Sequence, residues 1–256
     1  MWNILRCEWL KLHRCQILLV GITAMILCPV TQYGTQLVIN PEMRDSSYDL
    51  AQLFANVIWG NTQIFLPISL VMTGGWLIDR ENTNDTMKNN LAIPVPYRRL
   101  LTGKLIMTIL LALIFGLCSG MITLLTGIAA GLSFPSPPVA ALLWAQTTAA
   151  AMTTCLVCMP MILFFGQLRG AYLSGSLLAF FLGYCILFFK SGPLLSAYPF
   201  SAALILAGFD MEEFNGAAQP PSIPLALAGM TAVLALTALI LLLSCPVERN
   251  PRKQNF

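Results

Sequence analysis

Apolar residues fall in long uninterrupted runs along this chain, not in short alternating stretches. A hydrocarbon core of about 30 Å takes about 20 helical residues at about 1.5 Å each. Six runs meet that length: residues 16–38, 53–78, 105–132, 139–165, 171–190 and 222–245. Polar or proline-rich breaks part them. Asn40-Pro41-Glu42-Met43-Arg44-Asp45 ends the first, Ser133-Phe134-Pro135-Ser136-Pro137-Pro138 turns the third into the fourth, and Gln167-Leu168-Arg169-Gly170 divides the fourth from the fifth. A segment in lipid must satisfy its backbone internally, so each run is expected to be one helix. The predicted fold class is an all-α membrane protein with six transmembrane helices in one domain, 1–256.

Two segments depart from the apolar pattern. In residues 1–15, Trp2, Leu5, Trp9 and Leu12 recur at helical spacing with Arg6, Lys11 and Arg14 off that face, which predicts a helix lying at the membrane interface. Residues 79–104 form the longest polar stretch. They read as a short helix from about Asn84 to Leu91, a break at Pro94 and Pro96, and a basic turn into the third span. Such a charged element suits docking to a soluble partner. The first run follows a basic segment but ends without an A-x-A-like site, so it is expected to be a span and not a cleaved signal.

Composition agrees with this class. Residues AVILMFWYC make up 57% and DEKR only 10%, against about 25% charged in soluble domains. The placement of charge adds orientation. With the N-terminus inside, 12 of the 14 Lys and Arg lie on the inner side, and only Arg44 and Lys190 lie outside. Both termini are therefore expected to be cytoplasmic. Glu42, Asp45, Asp49, Asp210, Glu212 and Glu213 make the outer side net negative. The small net charge of +3 is explained by this bias, and no nucleic-acid partner is expected.

Chemistry within the spans is sparse. The only histidine, His13, precedes the first span, and the Cys155-Leu-Val-Cys158 spacing stands alone in an apolar helix, so no metal site and no catalytic residue is expected. The eight cysteines are expected to be free thiols. No G-x-x-x-x-G-K-[ST] loop occurs, so any ATP must be bound by another chain. Gly116, Gly120, Gly127 and Gly131 fall on one face of the third span and allow close helix packing, expected to lie within the subunit. Polar residues in the spans must face protein or water. Interhelical hydrogen bonds account for most of those in the second span, while Asn56, Asn61, Gln63, Ser69 and Thr73 are candidates to line a substrate route.

Two stretches carry a family resemblance. Glu8-Trp-Leu-Lys-Leu-His-Arg14 resembles the E-x-L-K-L-K-R segment that opens permeases of type-2 ABC exporters. Glu81 with Asp85-Thr-Met-Lys-Asn-Asn90, then Pro94, Arg98 and Lys104, resembles their G-T-x-K-N-x-L…P…R…K coupling segment, with Asp85 where the family usually has Gly. An outer stretch at 191–208 is similar to the family's re-entrant element. The resemblance implies a catalytically silent permease subunit in the plasma membrane of a bacterium. It further implies an ABC ATPase subunit that holds ATP and Mg, and a second permease chain, identical or paralogous. Coupling to the ATPase is then expected of Glu81, Asp85, Lys88, Arg98 and Arg99, with Glu8 and Lys11 in support.

The small size and opening segment are most similar to the lantibiotic (bacteriocin) immunity permeases, which implies export of an amphipathic, cationic antimicrobial peptide from the lipid bilayer. Two other readings stand beside it: the same machinery exporting another antibiotic or a lipid, and a membrane sensor or scaffold whose inner loop binds a cytoplasmic regulator.

Overall fold

The computed structural model describes residues 6, 8–10, 12, 16–38, 48–83, 96–189, 192–211, 214 and 222–244. Among these there is no strand. The described residues before position 16 include the helical Arg6, Glu8, Trp9, Leu10 and Leu12. Then come α1 (Ile17–Val38), α2 (Leu50–Gly60), a π-helical turn (Asn61–Phe65) and α3 (Leu66–Thr83), the last three forming one continuous rod. After them follow α4 (Tyr97–Ala129), α5 (Pro137–Gln167), α6 (Tyr172–Tyr184) with a 3-10 turn (Cys185–Phe188), α7 (Pro193–Ala197), α8 (Pro199–Leu206) and α9 (Ile223–Leu243).

Five stretches among the described residues are long and apolar enough to cross a membrane: Ile17–Val38, Leu50–Glu81, Tyr97–Ala129, Pro137–Gln167 and Ile223–Leu243. The fifth expected span is the shorter apolar helix Tyr172–Phe188. The all-α membrane architecture is as the hydrophobic pattern predicts. The second span runs on as helix to Thr83, past the expected end at 78, and two starts move by three residues or more, each for a local reason. The second span starts at Leu50, not 53, because Asp49 accepts from Gln52 N at 2.9 Å while the Gln52 side chain accepts from Asp49 N at 3.3 Å, a capping box that fixes the first turn. The third starts at Tyr97, not 105, since Pro96 stands at its N-cap and nothing after it breaks the helix. The expected helix at 84–91 and the start of the 191–208 segment lie outside the described residues.

The third span lies along the fourth over its small residues. A Cβ on Gly116 would meet Thr148 and Ala151, and one on Gly120 would strike the Trp144 ring, whose Nε1 donates to Leu117 O at 3.1 Å. Gly127 packs on Leu50 of the second span. Gly131 serves differently, taking φ +68° just past α4 while Leu132 N donates to Gly127 O at 3.1 Å, which closes the helix end. Glycines on one face therefore serve packing inside the subunit.

The π turn has an identifiable cause. Pro67 has no N–H to give Gln63 O, the bond a regular α turn would make, and its ring would crowd that carbonyl. The turn widens by one residue, with Leu66 N donating to Asn61 O five positions back. Gly183 of α6 presses its backbone against the Gln63 carbonyl, where any Cβ would overlap the oxygen.

Helices α7 and α8 form a short hairpin held by polar residues of its neighbours. Gln146 Nε2 donates to Gly208 O at 2.6 Å, Thr153 Oγ1 to Ala203 O at 2.9 Å, and Ser222 N to Ser196 Oγ at 3.0 Å. Gly229 of α9 lets the last span close on Ala197 O. Gln146 and Thr153 are thus interhelical ties, while Thr147, Thr148 and Thr154 bond the carbonyl four residues back in their own helix.

The Gly183 contact makes a direct prediction. Gly183→Ala should lower stability by about 1–3 kcal/mol through overpacking against backbone that cannot yield. Gly34→Ala, where a Cβ meets nothing within 4 Å, should leave stability unchanged or raise it slightly. Thermal midpoints of the detergent-solubilised proteins compare the two, and equal midpoints would refute the close approach.

Candidate functional site

Lys104 lies two turns into α4 and is 2% exposed. A Lys ammonium has three donors and no acceptor. Its Nζ meets three oxygens: Glu81 Oε1 at 3.0 Å, Glu8 Oε2 at 3.4 Å and Leu77 O at 2.5 Å. Both carboxylates are themselves buried, Glu8 at 2% and Glu81 at 5%. Burying a charge is unfavourable unless it is paired and hydrogen-bonded, so three charges enclosed together specify one geometry. Glu8 comes from the N-terminal helix, Glu81 from the end of the second span and Lys104 from the start of the third, and the last two flank residues 84–95 on either side.

The surrounding groups reinforce this junction. Leu12, one turn beyond Glu8, enters the same apolar cluster as Leu77, Met107 and Leu111. Among the described residues of the N-terminal helix, Glu8 and Leu12 are the buried ones, one turn apart on one face. Trp9 points elsewhere and stays about half exposed, at 48%. Asp79 Oδ1 accepts from Gly170 N at 3.1 Å, and Gly170 takes φ +68° in the turn between α5 and α6. Beside it, a Cβ on Gly166 would meet Ile78 and Gly75 O, and one on Gly75 would meet Tyr172. Arg80 lies 5.2 Å from the Trp76 ring centroid. The last turn of the second span thus receives the N-terminal helix, the third span and the turn between α5 and α6.

The predicted coupling residues separate by environment. Glu8 and Glu81 are enclosed in the junction. Arg98 and Arg99 stand exposed on the first turn of α4, where a surface partner can reach them. Lys11, Asp85 and Lys88 lie outside the described residues. Lys104 was only the end of a motif in the sequence, and its role as the centre of the junction needed contacts spanning 96 residues.

The predicted route residues are placed by the same rod. Asn56 is half-buried and donates to the Tyr48 hydroxyl at 3.1 Å. Asn61 Nδ2 donates to Ser119 Oγ at 2.8 Å, and Thr73 Oγ1 to Ser69 O at 2.6 Å. Asn61, Gln63, Ser69 and Thr73 are all buried inside the bundle. Asn61 Oδ1, Thr62 Oγ1, Gln63 Nε2 and Ser69 Oγ have no hydrogen-bond partner. A buried polar group left unpaired costs about 1–3 kcal/mol, so the middle of the second span is polar and locally under-satisfied around the π turn.

The junction predicts a distinctive mutational pattern. Lys104→Met takes a shared cation away from two buried carboxylates and should destabilise the protein by about 3–5 kcal/mol. Adding Glu8→Gln and Glu81→Gln to it removes the charges that Lys104 balances and should recover most of that loss. Thermal midpoints in detergent report both effects; a triple variant no more stable than Lys104→Met would show that the charges are not coupled.

Comparison with known proteins bears on the whole arrangement. No curated protein and no solved structure matches the chain. The family model of the ABC-2 family transporter proteins matches residues 4–186, well over half of the chain. That stretch runs from the N-terminal helix through α6 and includes Glu8, Glu81, Lys104 and the π turn. The chain belongs to the ABC-2 family of transporter proteins, as a multi-pass membrane permease subunit of an ABC transporter.

Proposed function

We propose that this permease exports an amphipathic, cationic antimicrobial peptide from the membrane, as in lantibiotic self-immunity, driven by ATP hydrolysis in a separate ATPase subunit. The observation that carries the coupling half of this reading is the enclosed Glu8–Lys104–Glu81 junction. Transport requires two packings of the bundle, and nucleotide binding in the ATPase must favour one of them. Driving an equilibrium from 1:99 to 99:1 takes about 5.5 kcal/mol of differential binding. Such a load passes only through joints that hold, and breaking a buried ion pair costs about 3–5 kcal/mol. In this reading the ATPase engages residues 84–95 with Arg98 and Arg99, at the cytoplasmic side. The junction passes that push to the second span and the N-terminal helix together.

The cargo half rests on charge and polarity. Asp49 and Asp210 stand at the face opposite the junction, with Glu42, Asp45, Glu212 and Glu213 in the same segments of sequence, and acidic groups there favour release of a cationic peptide outward. The under-satisfied polar groups at the π turn support a route along the second span that opens when the packing changes. Two permease chains, identical or paralogous, enclose that route.

Purification of the tagged chain from its native host tests the reading. An ABC ATPase should co-purify, and its ATP turnover should rise with added cationic amphipathic peptide. Absence of the ATPase overturns the coupling, and turnover indifferent to peptide overturns the cargo. Lys88→Glu with Arg98→Glu should abolish peptide tolerance in cells while the protein still inserts, and unchanged tolerance would sink the role of the docking segment.

A further inference from the structure

The α7–α8 hairpin is sunk between its neighbours. Tyr198, at the bend, donates its hydroxyl to Leu182 O. Leu182 stands six residues before Phe188, the end of that helical stretch, or about 9 Å along it at about 1.5 Å per residue. Phe200 packs in one cluster with Val157, Ile162 and Met230. Met230 is seven residues into α9, about 10 Å from its start. The bend therefore lies well inside the apolar layer defined by the flanking helices.

Under this bend is a cavity of about 340 Å³. Tyr198 and Phe200 roof it, Pro160 and Phe164 of α5 form one wall, and Leu236 and Ile240 of α9 form the other. Phe164 and Leu236 are about half exposed, at 54% and 49%, so the space opens sideways between α5 and α9. The only side-chain oxygen in the lining is the Tyr198 hydroxyl, and it is already committed to Leu182 O. Water needs two to four polar partners in such a space, and apolar cavities of about 150 Å³ stay dry and take up benzene. This one is larger and falls within the range of about 300–1,000 Å³ typical of ligand sites.

We propose that this cavity is an acyl-chain site, holding one hydrocarbon chain of a bilayer phospholipid that enters between α5 and α9 and ends beneath Tyr198. The lining offers no hydrogen bond, which excludes a headgroup or a peptide backbone. The mouth opens at a depth where the surrounding medium is hydrocarbon. A chain there fills space that the hairpin leaves and gives the lining the dispersion contacts it otherwise lacks. The site concerns lipid of the bilayer and stands independently of the exported cargo.

The test reconstitutes the full chain in phosphatidylglycerol and phosphatidylethanolamine vesicles doped with a phosphatidylcholine that carries a diazirine near the end of one acyl chain. After illumination, labelled residues are mapped by mass spectrometry. Labelling at Phe164, Leu236 and Ile240 should exceed that at Leu117 and Leu125, which are exposed on α4, by several-fold. Leu236→Trp, which closes the mouth, should remove the excess and leave the α4 labelling unchanged. Equal labelling of the two faces in the unaltered protein overturns the site, whatever the variant does. Efficient disulfide cross-linking of Leu236→Cys between two chains also overturns it, because a second copy would then cover the mouth.

Discussion

A lysine that cannot reach water has to be neutralised where it stands, and Lys104 is neutralised by carboxylates from two other parts of the chain. That requirement decides how one end of the bundle is assembled. Glu81 reaches Lys104 only if the second and third spans lie side by side at this level, and Glu8 only if the N-terminal helix folds under both. Leu77 O accepts a hydrogen bond from the same ammonium, which fixes the final turn of α3 against α4. Asp79 extends the same turn to Gly170. The glycines at 75 and 166 then let α3, α5 and the start of α6 approach closely enough for these bonds to form. Replacing such a cluster by apolar groups is often neutral for stability, so its presence is better understood as specifying one arrangement.

The middle of the second span obeys a different constraint. Pro67 forbids a regular turn at Gln63, and the chain answers with a π turn that gathers Asn61, Thr62 and Gln63 over a short length of helix. Gly183 accepts the displaced carbonyl and keeps α6 close. The same rod is therefore firmly tied at its charged end and only partly satisfied in its polar centre.

Spans and fold class were legible because hydropathy over some twenty residues is a strong signal, and each expected span has a helix at its position. What hydropathy could not weigh were local stops. The Asp49 and Gln52 pair reads as a capping box only if sought, and the residues after Pro96 read as a basic turn although the helix begins there. The helical periodicity put Leu12 and Trp9 on one face, yet Leu12 is buried and Trp9 half exposed. The reason lies in Glu8: a residue polar by type joins the buried face once Lys104 is there to receive it. Partners 96 positions apart leave no trace in local pattern, so Glu8 and Glu81 could be singled out while the cation that unites them was passed over. The consequence of Pro67 was equally hidden, since a proline in a hydropathy plot is only a small dip.

Placing the tie and the soft centre on one helix has a mechanical consequence. Under the proposed function, a push delivered beside residues 84–95 would reach the second span at Leu77 to Glu81, where Lys104 and Gly170 clamp the helix. A regular α helix would carry that displacement unchanged to Asp49. Here it first meets the turn at Asn61–Phe65, whose hydrogen bonds are non-standard and whose side chains still have bonds to gain. In that reading bending would concentrate at this turn, where the hydrogen-bond ladder is already irregular. Under the proposed function, the residues with most to gain from a change of packing are therefore those placed along the route, and rigidity at one end of the span is what brings the motion to them.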